Sequence, residues 1–451
     1  MTTTTTTTPW ALSFDTRGDV SREGEEQFLA QLKAANVADL VIFSHGWNND
    51  EATAASLYQR WSTLLNDQLG PGRTIGFLGI RWPSAMWRDE RIPNFEPTPG
   101  GAGTGAAGLD DTAATFDADP SLSPQQLADL VTLFPSGAAE LNQLTALLAT
   151  QPDQAQRDEI FTLMRKFSDK VRAGFDDGEA ETVDPARPGM LDDDKRADDV
   201  FENFADALTD AGIDLSDGGG GGGAGLVDNI RKLWLGAKQA LRQLTYWQMK
   251  NRAGVVGERG VGPLLVRIAA KCPNVRIHLV GHSFGARVVS FALAGGPTTT
   301  PSPVKSVTLL EGAFSRFAFL DKLPFSSPHP SGALAGRLSR VDGPLTVCYS
   351  SHDMALGVMY PLASAAAGDD SAGIDNDPLG RWRAIGSLGA YQAPTEPIGA
   401  VRTTYSFVKG AILNVDSSAI VTKGGPPAGA HSDIFYPELA WIVASAAGLT
   451  A

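Results

Sequence analysis

The segment of this sequence best suited to chemistry is a Gly-x-Ser-x-Gly motif centred on Ser283. Its residues are Gly281, His282, Ser283, Phe284 and Gly285. A strand-like apolar run precedes the motif at 275–280, and a helical pattern follows it at 286–293. In this strand–turn–helix context a serine projects from a sharp turn as a nucleophile, and the flanking glycines allow the two backbones to approach closely. The start of the helix also favours developing negative charge. We therefore predict that Ser283 is a nucleophile.

A serine is a weak nucleophile on its own and needs a histidine base that a carboxylate orients. His431 is the predicted base, because it follows the last predicted strand in a loop before the closing helix 437–447. His282 is adjacent to Ser283, and we expect that its side chain cannot reach back to its neighbour. The other four histidines lie within a strand, in an early loop, between prolines or beside an acid, and they are His278, His45, His329 and His352.

Two acidic residues compete for the carboxylate role. Asp353 follows the predicted strand 345–350 and gives the chain order Ser, Asp, His, so we favour it. Glu311 ends the preceding predicted strand and is the alternative. Asp416 and Asp433 lie close to His431 in sequence, where a local cap or turn role is expected.

Backbone N–H groups aimed at an oxyanion are worth about a hundredfold or more in rate each. One predicted donor is the amide of Phe284, the residue after the nucleophile. The other is the amide of Trp47, in the early loop His45-Gly46-Trp47-Asn48. His45 is interpreted as a residue that fixes this loop. A metal site built from His45, His352 and His431 lacks supporting ligand spacing, so we predict neither a metal nor a cofactor.

Aromatic residues follow two of the predicted strands. They are Trp82, Trp87 and Phe95 after the strand 74–80, and Phe314, Phe317 and Phe319 after the strand 304–310. Two interpretations stay open: the side chains pack in the core, or they line a substrate pocket. In the second case the substrate has an apolar acyl or alcohol group.

The elements around these residues alternate between strand and helix. Apolar runs predict strands at 40–43, 74–80, 275–280, 304–310, 345–350 and 407–415, and helical patterns lie at 51–69, 226–249 and 262–270. Such alternation predicts an α/β fold with a mostly parallel sheet and helices on both faces. The active sites of such sheets lie at the carboxyl ends of the strands.

An acidic segment interrupts this pattern. Residues 95–225 hold 26 acidic and 8 basic side chains, a net charge of −18, whereas the rest of the chain has a net charge of +4. The segment contains four helical patterns and ends in the glycine run 218–223. We therefore predict a core of 1–91 and 226–451 and a mainly helical insertion at 92–225, which ends in a flexible linker. The insertion is either a solvated excursion or a lid.

Composition excludes several classes of protein. The chain has 451 residues, 43% of them apolar, a net charge of −14 and 2 cysteines. An acidic chain without a basic stripe is a poor nucleic-acid binder, and no apolar run reaches the roughly 18 residues of a membrane span. The threonine-rich residues 1–8 are expected to be disordered and do not resemble a secretory signal. These features predict a cytoplasmic protein with no integral membrane segment, and they leave its oligomeric state open.

The His-Gly-Trp loop, the Gly-His-Ser-Phe-Gly motif, the later acid and the C-terminal histidine, in this order, resemble the α/β-hydrolase superfamily. The loop His45-Gly46-Trp47-Asn48 is similar to that of certain bacterial serine hydrolases in the superfamily. The resemblance covers 1–91 and 226–451, not the insertion. It implies an eight-stranded, mostly parallel sheet. A serine nucleophile argues against epoxide and haloalkane chemistry, for which the superfamily uses aspartate.

The expected activity is hydrolysis of a small-molecule or lipid-like carboxylic ester through an acyl-enzyme. The fold alone does not name the substrate. An amidase, a peptidase or another acyl-transfer enzyme of the same fold is one alternative. A non-catalytic scaffold that binds a partner through the acidic insertion is the other.

Overall fold

The computed structural model describes residues 9–84, 87, 121–171, 188–210, 227–325, 330–361, 382–425 and 428–450. The predicted disordered residues 1–8, the glycine run 218–223, Phe95 and His329 lie outside the described residues. The predicted boundaries of the insertion, at 92 and 225, also lie outside them.

Eight strands form one sheet in which all paired neighbours are parallel. The spatial order is β1-β3-β2-β4-β5-β6-β8-β7. This confirms the predicted α/β class and its eight-stranded sheet. In chain order the strands are β1 (Trp10–Ser13), β2 (Asp39–Ser44), β3 (Ile75–Arg81), β4 (Arg276–His282), β5 (Val304–Leu310), β6 (Leu345–Tyr349), β7 (Thr395–Pro397) and β8 (Ile412–Asp416).

The direction in which the chain adds strands reverses between β2 and β4, which are neighbours in the sheet. From β2 the chain turns back to β3 on one side, and from β4 it continues to β5 on the other. The loops after β2 and β4 therefore diverge and leave a crevice at the carboxyl ends of these two strands. Ligands of open α/β sheets bind at such a switch point. The early loop and Ser283 both lie there.

Helices cover both faces of the sheet because side chains alternate between the faces along each strand. On β2, Leu40 and Ile42 belong to one apolar cluster, and Val41 and Phe43 belong to the other. The second cluster also contains residues of two helices, at 51–66 and 437–446. The helices are α1 (Arg22–Ala35), α2 (Glu51–Asn66), α3 (Pro124–Leu133), α4 (Ala138–Leu148), α5 (Gln154–Lys170), α6 (Ala197–Asp210), α7 (Val227–Val255), α8 (Gly262–Lys271), α9 (Phe284–Gly295), α10 (Ile385–Leu388) and α11 (Pro437–Ala446).

Side-chain caps explain where several of these helices begin. The Asp50 carboxylate accepts the Thr53 N–H at 2.8 Å, so Asp50 is the N-cap of α2. The helices α3 and α5, within the predicted insertion, begin with capping boxes built on Ser123 and Asp153.

The helices α3–α6 pack against α7 instead of forming a separate core. A Cβ atom at Gly236 of α7 would lie 1.9 Å from the Phe201 carbonyl oxygen, so only glycine at this position allows α6 and α7 to pack this closely. The Trp234 indole of α7 donates to the Leu148 carbonyl at 3.1 Å. Buried residues of α3–α6 and of the sheet consequently share one apolar cluster.

The last predicted strand is shorter than the sequence pattern indicates. Its apolar run begins at Phe407, but β8 begins at Ile412. A turn occupies the gap, since Gly410 has a φ of 73° and the Ala411 N–H donates to the Val408 carbonyl at 3.2 Å. The left-handed glycine ends the extended conformation.

Candidate active site

Ser283 occupies the turn between β4 and α9 with φ 55° and ψ −124°. A residue with a side chain adopts this backbone only where its surroundings hold it, at about 1–3 kcal/mol. A Cβ atom at Gly281 would lie 2.3 Å from the Gly285 carbonyl oxygen, and one at Gly285 would lie 2.0 Å from the Ser44 carbonyl oxygen. Only glycine fits at either position, so the two glycines allow the tight turn.

The three residues predicted as nucleophile, base and acid form a chain of hydrogen bonds. Ser283 Oγ lies 2.8 Å from His431 Nε2, and His431 Nδ1 lies 2.6 Å from Asp353 Oδ2. The carboxylate can only accept, so Nδ1 carries a proton, and Nε2 of a neutral ring is left to accept the serine hydroxyl. The structure thus brings together residues that are 148 and 78 positions apart in the sequence.

Backbone contacts join the His431 loop to the turn that carries Asp353. The Ala430 N–H donates to the His352 carbonyl at 2.9 Å, and Gly429 forms a β-bridge with Asp353. Gly429 has a φ of 59°, and a Cβ atom there would lie 2.4 Å from the His352 carbonyl oxygen. The base and the acid are therefore fixed relative to each other by main chain as well as by their own bond.

His282 contacts the base loop, a role that the sequence did not predict. Its Nε2 lies 2.8 Å from the carbonyl oxygen of His431. A carbonyl only accepts, so Nε2 carries the proton. Burial, with the neighbouring His431 ring, lowers the pKa of His282 to about 3, and the ring is neutral. The contacts of His282 in the described parts of the chain do not include Ser283, and its Nε2–H group holds the loop that carries His431.

Asp353 is almost fully buried after β6. Its Oδ1 accepts the Leu356 N–H at 2.9 Å, while Oδ2 accepts the hydrogen bond from His431 Nδ1–H at 2.6 Å. Glu311, the alternative acid, lies at the end of the neighbouring strand β5 and is fully buried beside Asp353. Of the two candidates, Asp353 is the one that bonds to His431.

The early loop passes directly over the nucleophile. A Cβ atom at Gly46 would lie 2.4 Å from Ser283 Cβ, so only glycine permits the contact. The amides of Trp47 and Phe284 donate no hydrogen bond to any residue in the described parts of the chain. Both predicted donors are therefore available to an oxyanion.

The orientation of these two amides follows from the carbonyls that share their peptide planes, because N–H and C=O point in opposite directions across a trans peptide. The Gly46 carbonyl accepts from His45 Nδ1 at 2.8 Å and from Asn49 Nδ2 at 3.3 Å, which fixes the N–H of Trp47. The Ser283 carbonyl accepts the Ala286 and Ala313 N–H groups at 3.1 Å each, which fixes the N–H of Phe284. Sequence reasoning missed the contribution of Asn49.

His45 is a structural residue of the loop, as interpreted from the sequence. Its Nε2 accepts the Trp82 N–H at 3.2 Å, so the proton lies on Nδ1 and is donated to the Gly46 carbonyl. The Trp82 indole stacks on the imidazole at 5.5 Å and donates to the His45 carbonyl. Burial lowers the pKa of His45 to about 4, which keeps the ring neutral.

The aromatic candidates for a pocket that the structure describes are all buried. Trp82 stacks on His45, and Trp87 donates its indole N–H to Thr245 Oγ1 at 3.1 Å. Phe314 packs against Phe319. Phe317 belongs to a separate apolar cluster, where its ring contacts Phe325 and Tyr391. These contacts are those of packing residues.

A further aromatic residue, Tyr246 on α7, packs against the side-chain rings of Trp47 and Phe284. Its ring centroid is 4.8 Å from that of Trp47, 4.4 Å from that of Phe284 and 6.0 Å from that of Tyr360. Nothing in the helical pattern around Tyr246 distinguishes it from a core position, so the sequence offered no signal for it.

A second Ser–His–Asp group lies toward the amino ends of the strands. His278 Nδ1 is 2.9 Å from Ser306 Oγ, and His278 Nε2 is 3.0 Å from Asp39 Oδ1. Burial lowers the pKa of His278 despite its acidic partner. All three residues are buried within regular strands or at a strand end, away from the crevice.

A metal site and a membrane-spanning helix are both absent from the described residues. No group of three or more His, Cys, Asp or Glu side chains among them is arranged to hold a metal ion. None of the helices in these parts of the chain has the length and hydropathy required to cross a membrane.

Neither a protein-family model, nor a curated protein, nor a solved structure matches the chain.

Proposed function

We propose that the protein is a serine hydrolase of the α/β-hydrolase superfamily that cleaves carboxylic esters. The proposal depends chiefly on one observation, the hydrogen-bond chain from Ser283 through His431 to Asp353 at the switch point of the sheet. The chain order Ser, Asp, His and an oxyanion donor from the loop of an early strand are features of this superfamily.

In the first half of the proposed reaction, Ser283 Oγ attacks the ester carbonyl while His431 Nε2 takes the hydroxyl proton. The negative charge that develops on the carbonyl oxygen is stabilised by the amides of Trp47 and Phe284. The intermediate then collapses. The bond to the alcohol oxygen breaks, the imidazolium returns its proton to that oxygen, and the acyl group stays on Ser283.

In the second half, a water molecule attacks the acyl-enzyme and gives its proton to His431. Collapse of the second intermediate breaks the ester bond to Ser283, returns the proton to Oγ and releases the carboxylic acid. Asp353 remains ionised throughout and stabilises the imidazolium. No cofactor takes part in this scheme.

The aromatic rings packed against the side chains of Trp47 and Phe284 support a substrate with an apolar group. Tyr246 contacts both Trp47 and Phe284, and Tyr360 contacts Tyr246. Aromatic walls with a few convergent polar groups are typical of small-molecule sites. We therefore propose a small-molecule or lipid-like ester with an apolar acyl or alcohol part.

The test is hydrolysis of p-nitrophenyl esters from acetyl to palmitoyl by three proteins: the wild type, Ser283→Ala and Ser306→Ala. The second substitution is a matched control, because Ser306 is also bonded to a histidine but lies in a strand. We expect Ser283→Ala to lower kcat by about 10⁴-fold or more and Ser306→Ala to leave kcat unchanged. The dependence on chain length measures the size of the pocket.

Labelling by a fluorophosphonate probe separates the remaining outcomes. Labelling of Ser283 without ester turnover would support an acyl-transfer enzyme with another substrate, such as an amide. If the wild type neither hydrolyses any ester nor reacts with the probe, the proposed function is wrong and a binding role replaces it.

A further inference from the structure

Glu311 is a fully buried acid whose position is strictly determined by its surroundings. Its backbone has a φ of 46°, a strained value for a residue with a side chain. A Cβ atom at Gly386 would lie 2.3 Å from the Glu311 carbonyl carbon, so the main chain packs directly against it. The Glu311 N–H donates to the Cys348 carbonyl at 3.0 Å. Strain held this firmly is typical of positions with a functional role.

The polar contacts of the Glu311 side chain are incomplete unless it carries a proton. Oε2 accepts the Ser350 N–H at 3.1 Å, but no N–H or O–H donor in the described parts of the chain reaches Oε1. The carboxyl of Asp353 is a further polar neighbour: after burial and the charge of Asp353, hydrogen bonding between the two carboxyl groups raises the pKa of Glu311. Two carboxyl groups can share a hydrogen bond only when one of them is protonated.

The proton belongs on Glu311. Asp353 accepts from His431 and from the Leu356 N–H, and two donors favour an ionised group. Glu311 is fully buried and accepts from a single amide. Burial, followed by the charge of Asp353, raises the pKa of Glu311 well above its usual value, and Asp433 acts in the same direction. The neighbouring Cys348 thiol is neutral, because burial raises its pKa.

We infer that Glu311 is a neutral carboxylic acid whose O–H donates a hydrogen bond to the Asp353 carboxylate and holds this carboxylate in the orientation that accepts the hydrogen bond of His431 Nδ1–H. Glu311 is thus a positioning residue, and this role depends on the proposed function. Asp353 is then fixed by three donors, namely His431, the Leu356 amide and Glu311. The two strands β5 and β6 each supply one carboxyl group, and only one of them is charged.

The experiment compares Glu311→Gln with Glu311→Met in the full-length protein. The glutamine amide keeps a donor for Asp353 and an acceptor for the Ser350 N–H, whereas methionine has a similar size and neither group. We expect Glu311→Gln to retain kcat within about threefold. Glu311→Met should lower kcat about 10–100-fold with little change in KM, because a misplaced Asp353 misorients the base. Asp353→Asn should lower kcat about 10⁴-fold.

A spectroscopic readout tests the proton itself. At neutral pH the infrared spectrum of the wild type should contain the C=O stretching band of a buried carboxylic acid. The spectrum of Glu311→Gln should lack this band, so that it appears in the difference between the two spectra. This measurement needs no substrate and decides the protonation even if Glu311→Met fails to fold.

Three results would overturn the inference: no such band in the wild type, equal loss of kcat in Glu311→Gln and Glu311→Met, or an active Asp353→Asn beside an inactive Glu311→Gln. The last result would make Glu311 itself the carboxylate that orients His431. Failure of the proposed function has a different signature, since the wild type would then show neither turnover nor fluorophosphonate labelling while the infrared band remained.

Discussion

His282 connects the turn that carries Ser283 to the loop that carries His431. The residue precedes Ser283 in the chain, and its Nε2–H group donates to the carbonyl of His431 at 2.8 Å. The neutral ring is buried, so water does not compete for this bond. A displacement of about 1 Å in a reacting group can change a rate about 100-fold, and a single bond at this position therefore matters.

Removal of this bond should impair turnover more than binding. We expect His282→Ala to lower kcat on p-nitrophenyl esters about 10–100-fold with KM nearly unchanged. His282→Gln, whose amide also donates, should recover part of the loss. Thermal unfolding of both variants controls for the cavity left by the ring. Wild-type kcat in a folded His282→Ala protein would show that the bond is dispensable.

The sequence predicted residue identities better than residue contacts. Ser283 is predicted from the Gly-x-Ser-x-Gly motif, and His431 and Asp353 are predicted because each follows a strand whose end lies at the same edge of a parallel sheet, a rule that operates without coordinates. The roles of His282 and Asn49 depend on which backbone carbonyl their side chains meet. That in turn depends on the path of a loop, which composition does not encode.

At the scale of elements, the strands that the sequence indicated are those buried on both faces. Such strands have continuous apolar runs. The two strands without a pattern, β1 and β7, lie at the two edges of the sheet and are 4 and 3 residues long. Edge strands contribute few buried side chains, so their signal in the sequence is weak. The resemblance implied eight strands where the pattern alone indicated six.

The crossing of α9 with the end of β2 depends on Gly285. We expect Gly285→Ala to lower ester turnover at least about 100-fold and to destabilise the fold by about 1–3 kcal/mol, because the added methyl would meet the Ser44 backbone. The matched control is Gly425→Ala, since a Cβ atom at Gly425 has no neighbour within 4 Å. Chemical unfolding and kinetics measure both effects. Equal behaviour of the two variants would contradict this account of the turn.

At the scale of the whole molecule, buried titratable groups set the pH range of stability. Burial lowers the pKa of His45 to about 4 and of His282 to about 3, and it lowers the pKa of His278. The unfolded chain takes up protons on these three rings below about pH 6.5, and the folded protein takes them up only at lower pH. Glu311 has the opposite effect, because its raised pKa keeps a proton in the folded state that the unfolded chain loses above about pH 4.5.

The free energy of unfolding should therefore be largest near neutral pH. Below about pH 6 the unfolded chain takes up a net one to two protons, and stability falls by about 1.4 kcal/mol per pH unit for each. Above neutrality the Glu311 contribution alone remains, and stability falls by about 1.4 kcal/mol per pH unit as pH rises, until Glu311 ionises in the folded protein. Urea unfolding between about pH 5 and pH 9 measures the curve.

One variant and one control test the two limbs of this curve, which are the loss of stability below neutral pH (the acid limb) and above it (the alkaline limb). Glu311→Gln should flatten the alkaline limb and steepen the acid limb, because Glu311 then no longer offsets one of the protons that the unfolded chain takes up. His352→Ala, at an exposed position, should change neither limb. A wild-type stability that rises steadily from neutral pH down to pH 5 would contradict the assignment of three neutral buried histidines.

The group Ser306, His278 and Asp39 has a consequence for how function is assigned from coordinates. A template search that scores only side-chain distances would find two hydrolase sites in this chain, one at each end of the sheet. The fixed amides and the positive φ of Ser283 distinguish the candidate site from this group, and so does the ring nitrogen that each serine meets, Nε2 for Ser283 and Nδ1 for Ser306. A catalytic template therefore needs main-chain atoms and the identity of the ring nitrogen, and this fold contains two groups on which such a template can be compared.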